Sequence, residues 1–99
     1  MIETDQDLED LVTQYNEMRE YVDDCYYNYH ILSERSKKHY NESKRMHKRG
    51  LHTRAEDESY ESDRLYRRSM RYKNNGDEIF FEAQKIMNYV TWVNNWCKK

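Results

Sequence analysis

The 99-residue sequence predicts an all-α fold: a long N-terminal helix with two shorter helices, as an antiparallel helical hairpin or three-helix bundle with coiled-coil character. Three observations carry this expectation. Proline is absent and glycine occurs only at positions 50 and 76, so little in the chain interrupts a helix. From Leu8 to Met46 one heptad register runs without a break through Leu8, Leu11, Tyr15, Met18, Val22, Cys25, Tyr29, Leu32, Ser36, His39, Ser43 and Met46. Steps of three and four residues place all twelve on one stripe of a single helix. The remaining sequence repeats that spacing in two further blocks, on either side of Asn74-Asn75-Gly76-Asp77.

The first helix is expected over residues 5–48. Thr4 or Asp5 can accept hydrogen bonds from the free N–H groups of its first turn. Gly50 supplies the left-handed residue that ends it, and Lys48 and Arg49 favour the negative end of its dipole. At ~1.5 Å per residue it forms a rod of roughly 65 Å. The second helix is expected over 54–73, because Thr53-Arg54-Ala55-Glu56 has the pattern of a capping box. Its stripe holds Ser62, Leu65, Ser69 and Tyr72, and serines at a seam permit close helix approach. The Asn-Asn-Gly-Asp stretch reads as a break. The third helix, 78–97, has one stripe of Ile79, Ala83, Ile86, Val90, Val93 and Cys97, widened by Phe80 and Met87, and a second of Tyr89, Trp92 and Trp96. A surface that wide is expected to meet two neighbours.

These helices form a single domain, residues 1–99. After a tight turn at Gly50, residue 50+k is expected beside residue 50−k, so the second helix reaches back only to about Tyr27. The stripe Leu8, Leu11, Tyr15, Met18 and Val22 then needs another cover. Either the third helix continues along it, or a second copy packs there as an antiparallel homodimer; the sequence reading favours the second copy.

Composition bounds the function. Charged residues make up 36% of the chain and mean hydropathy is −1.37, which leaves no stretch for a membrane span. The opening MIETDQDLED has neither the basic start nor the apolar run of a secretory signal, so a cytoplasmic location is expected. Two cysteines suit a reducing compartment better than a disulfide framework. Leu, Ile, Val and Phe number only 15, whereas Tyr and Trp number 12. Stability therefore rests on aromatic residues whose polar atoms need partners, and the domain is expected to be modestly stable.

Charge is segregated along the chain. Residues 1–24 have net charge −8, residues 25–54 have +6, residues 55–78 have −2 and residues 79–99 have +2. The order complements the dipole of the first helix, and it sets Glu56, Asp57, Glu58 and Glu61 opposite that helix's basic end. Exposed ion pairs each contribute about 0–1 kcal/mol, so the pattern selects orientation and partners more than it stabilises.

Little in the sequence points to catalysis. There is no nucleophile in a glycine-bearing turn and no phosphate-cradling glycine loop. His39, His47 and His52 match no metal-ligand spacing, and no cofactor or metal is expected. Tyr89, Trp92 and Trp96 are the first candidates for a protein-binding hot spot, with Leu8, Leu11, Tyr15, Met18 and Val22 as a second protein-binding stripe. Lys37, Lys38, Lys44, Arg45, Lys48 and Arg49, with Arg64, Arg67, Arg68 and Arg71 on one face of the second helix, are candidates for anion or nucleic-acid contact. The expected function is a small non-catalytic interaction protein, an inhibitor or adaptor that occludes a surface of a larger protein. Virus-encoded inhibitors of host or defence enzymes often need no more than such a surface. The alternative is a nucleic-acid-binding accessory protein using the basic faces 37–49 and 64–71, a reading weakened by the chain's pI near 6.1.

Overall fold

The structure, a computed structural model, describes residues 5–97, the side chain of Cys97 excepted. Two long helices form an antiparallel hairpin, α1 (Asp5–Lys48) and α2 (His52–Cys97). The first expected helix is present and ends at Lys48, where it was expected to end. The expected capping contribution of Thr4 and the inward placement of Cys97 lie outside the described residues.

The end of α1 follows from Gly50. Its φ of 79° is one that L side chains rarely adopt, and Gly50 N–H donates to the His47 carbonyl at 3.0 Å. Leu51 N–H then donates to the Met46 carbonyl at 2.9 Å, completing the two bonds that close a helix ending in a left-handed residue. The Leu51 carbonyl accepts from Ala55 N–H at 2.9 Å and so opens α2 immediately. Here the expectation needs correction: α2 begins at His52, placing Thr53 inside its first turn rather than at a cap.

The larger correction concerns residues 74–77. The expected break is helical, and the second and third helices are one 46-residue helix, so the three-helix arrangement does not form. The heptad spacing of α2 explains this. Ala55, Glu58, Ser62, Leu65, Ser69, Tyr72, Gly76, Ile79, Ala83, Ile86, Val90 and Val93 follow one another in steps of three and four straight through the apparent break. Gly76 is a buried seam residue, not a turn residue. Glycine in a helix costs about 1 kcal/mol relative to alanine, and the neighbouring Asn and Asp about half that each. Each apolar side chain covered contributes about 1.5–3 kcal/mol when fully buried, so a half-length stripe outweighs the local cost.

The chain divides into two compact units. In the unit Cys25–Asn74 the interior holds Cys25, Leu32, Ala55 and Leu65, and also Ser36, Ser43, Ser62 and Ser69. Cys25 is a buried free thiol. Ser36 Oγ donates to the Ser62 carbonyl at 2.8 Å, and Ser62 Oγ donates to the Ser36 carbonyl at 2.8 Å. Ser43 Oγ reaches the Ala55 carbonyl at 2.8 Å in the same way. Hydroxyls this short touch the opposite backbone only where two helices approach closely. The pairs also set the register: residue 49−k lies opposite residue 49+k, one position from the expected centre. Among the described residues every buried side-chain N or O atom has a hydrogen-bond partner. Ser62→Ala should therefore cost about 1 kcal/mol in denaturant unfolding, and adding Ser36→Ala should cost less than a second such loss, because the pair is reciprocal.

The unit Met1–Asp24 with Asn75–Lys99 has an apolar interior of Val22, Ala83, Val90 and Val93, with Leu8, Leu11, Tyr15, Met18, Ile79 and Ile86 half-buried around it. The acidic half of α1 is thus covered by residues of the same chain, the first of the two arrangements the sequence left open. Leu8 shares a shallow depression with Val90, and the Arg19 guanidinium lies 4.9 Å from the Phe80 ring centre, a register that puts Gly76 opposite Val22.

Candidate interaction surfaces

Arg19–Asp23, Lys37–Glu34, Arg45–Glu42, Arg64–Glu61, Arg67–Asp63 and Lys85–Glu82 each lie within one helix, three or four residues apart. Of the expected contacts between the acidic opening of α2 and the basic end of α1, Glu58 meets His39 Nδ1 across the seam, whereas Glu61 turns to Arg64 on its own helix. Beside the turn, His47 Nδ1 and His52 Nδ1 lie 3.0 Å apart. No group of three His, Cys, Asp or Glu suited to a metal ion occurs among the described residues.

The aromatic surface belongs to the unit Met1–Asp24 with Asn75–Lys99. Seam positions Ile79, Ala83, Ile86, Val90 and Val93 turn one side of α2 inward, which leaves Tyr89, Trp92 and Trp96 on an adjoining side. Trp92 is 57% exposed and Trp96 63%. The Tyr89 and Trp92 rings are stacked with centres 6.3 Å apart, and Trp92 and Trp96 are tilted at 5.9 Å. Phe81, which sequence reasoning passed over, lies on the same side of α2 eight residues before Tyr89, with the Lys85 ammonium 4.6 Å from its ring centre. Eleven residues, about three helical turns, separate it from Trp92. That signal becomes legible only once the seam is known. Phe80, expected to widen the seam, is 40% exposed instead and lies beneath Arg19.

The second expected protein-binding stripe lies along the seam, one residue buried and four half-buried. Val22 is wholly buried, while Leu11 and Tyr15 are half-buried. Leu8 and Met18 keep an outer edge: Leu8 lines a depression with Val12 and Val90, and Met18 another with Tyr21 and Ile79.

The basic surface belongs to the unit Cys25–Asn74. Lys37, Lys38, Lys44, Arg45 and Lys48 are exposed on α1, and Arg49 is exposed in the turn that follows it. Lys37 and Arg45 are paired with Glu34 and Glu42, and Lys44 lies 4.4 Å from the Tyr40 ring centre. On α2, Arg64, Arg67, Arg68 and Arg71 line one depression with Tyr60 and Asp63. Arg64 makes two hydrogen bonds to Glu61, at 3.1 and 2.6 Å, and Arg67 meets Asp63 at 2.9 Å. The bond from Arg64 holds the Glu61 carboxyl below its ordinary range and raises Arg64 in turn. Both therefore stay ionised at neutral pH, and the pairing is lost as acid protonates Glu61. Among the described residues Arg68 and Arg71 hold no ion pair.

No helix among the described residues is long and apolar enough to cross a membrane. No known protein family, curated protein or solved structure matches this chain.

Proposed function

We propose that this protein is a non-catalytic binding module of the cytoplasm, an inhibitor or adaptor that works by seating the aromatic row of α2 on a larger protein. The single observation that carries the reading is the cost of that row in water. Phe81, Tyr89, Trp92 and Trp96 are 62%, 39%, 57% and 63% exposed, although the interior beside them is already filled by Ala83, Val90 and Val93. Tryptophan and tyrosine held on a rigid helix, at low entropic cost for ordering, are the side chains that dominate protein-binding hot spots. The unit's charge describes the partner. Residues 1–24 carry nine Asp or Glu and one Arg, and residues 75–99 carry three of each sign, a net of −8. A target with an apolar cleft and a basic rim fits that surface, and its association is accelerated at low salt.

The test uses the full chain and a Trp92→Ala/Trp96→Ala variant. Both tryptophans are exposed, so the variant should unfold within about 0.5 kcal/mol of wild type per site. A partner captured on the wild-type protein and purified should bind the variant at least about 30-fold more weakly, equivalent to about 2 kcal/mol. Equal binding by the two proteins would overturn the proposal. So would a large stability loss in the variant, which would make the row part of the fold.

A further inference from the structure

We infer that the outward face of α2 in the unit Cys25–Asn74 binds the sugar-phosphate backbone of single-stranded nucleic acid, with Arg67, Arg68 and Arg71 on phosphates and Tyr60 beneath a base. This goes beyond the protein contact proposed above and uses different residues. The unit carries 13 Lys or Arg against seven Asp or Glu, a net of +6, so the acidity of the whole chain conceals a strongly basic part. Within it, Arg67, Arg68 and Arg71 lie three, four and seven residues after Arg64, and all four line one depression of about 310 Å³. The seam residues Ser62, Leu65 and Ser69 fix the orientation of this row by occupying the other side of the helix. From Arg64 to Arg71 the row extends roughly 10 Å along the axis, long enough to meet successive phosphates of one strand.

The four arginines are not equivalent. Arg64 is committed to Glu61 by two hydrogen bonds and Arg67 is held by Asp63, whereas Arg68, near enough to Glu61 to favour its charge, and Arg71 make no ion pair among the described residues and can turn to an incoming anion. Tyr60, 72% exposed, lines the same depression one helical turn before Arg64. A stacking platform beside a row of cations favours an unpaired strand, because bases inside a duplex cannot reach it. Acidic protein partners share the charge but lack both the base and the regular phosphate spacing.

The experiment measures fluorescence anisotropy of labelled dT15, a 15-base-pair duplex and polyglutamate with the full chain between 50 and 200 mM salt. The expected order is dT15 tightest, with log K falling by about 2 per unit of log salt, as three phosphate contacts require. Arg68→Gln/Arg71→Gln should weaken dT15 at least tenfold and flatten that slope by about 1.4, the share of two contacts. Tyr60→Ala should cost at least fivefold and leave the slope unchanged, the signature of lost stacking. Lys38→Gln/Lys48→Gln removes the same charge from α1 and should change affinity less than twofold. Absence of dT15 binding at 50 mM salt overturns the inference. So does equal or tighter binding of the duplex or polyglutamate, or a loss in the lysine variant as large as that in the arginine variant. Each result leaves the Trp92 and Trp96 contact to be judged separately.

Discussion

Val22→Asp should abolish the folded state of residues 5–24 and 75–97 at ambient temperature. Val22 is wholly buried in its unit, so an inward carboxylate there would be stripped of water. An uncompensated buried charge costs about 3–5 kcal/mol, which is most of the stability expected of a chain this size. Amide hydrogen exchange should register the loss throughout those segments, and denaturant unfolding should lose its cooperative transition there. Asn16→Asp adds the same charge six residues earlier at an exposed position and should stay within about 0.5 kcal/mol of wild type. Wild-type stability in Val22→Asp would mean that this stripe faces water and that α2 does not cover it.

Gly76→Leu should destabilise the hairpin by about 1–3 kcal/mol, because Gly76 is a buried seam residue opposite Val22 and a large side chain there overpacks the interior. Its exposed neighbours should respond in the other direction. Asn74→Ala and Asn75→Ala each replace a weak helix former with the strongest, and each should stabilise by a few tenths of a kcal/mol. Opposite signs at adjacent positions are the mark of a continuous helix with one inward residue. Urea midpoints of the three variants provide the check, and destabilisation by all three would restore the turn at 74–77.

Much of this fold is legible in the letters. The heptad stripe of α1, its end at a left-handed Gly50 and the serine seam all follow from spacing and from the stereochemistry of glycine. Residues 74–77 misled because Asn, Asn, Gly and Asp carry a local preference for turns, and local preference is weaker than coverage of a long apolar stripe. The same twelve-position register that overrides the turn was present in α2 all along. It is hard to see because its members, Ala55, Glu58, Ser62, Ser69 and Gly76, include so few large apolar side chains.

The candidate surfaces divide in the same way. Tyr89, Trp92 and Trp96 could be found from helical spacing alone, as could the arginine row of α2. Their availability could not. A tryptophan on a second stripe is spare only if no third helix packs on it, and Val22 is interior only if the partner helix extends that far. Likewise Arg68 and Arg71 differ from Arg64 and Arg67 only through the rotamers that bring Glu61 and Asp63 to their neighbours.

By itself the sequence determined that the chain is helical, where α1 ends and which residues form its seam, because these depend on periodicity and on backbone freedom at single positions. Tertiary structure alone decided that the remaining residues form one helix rather than two. That decision leaves the aromatic row uncovered, since the placement of a cover depends on burial summed over some twenty residues and not on the preference of any four.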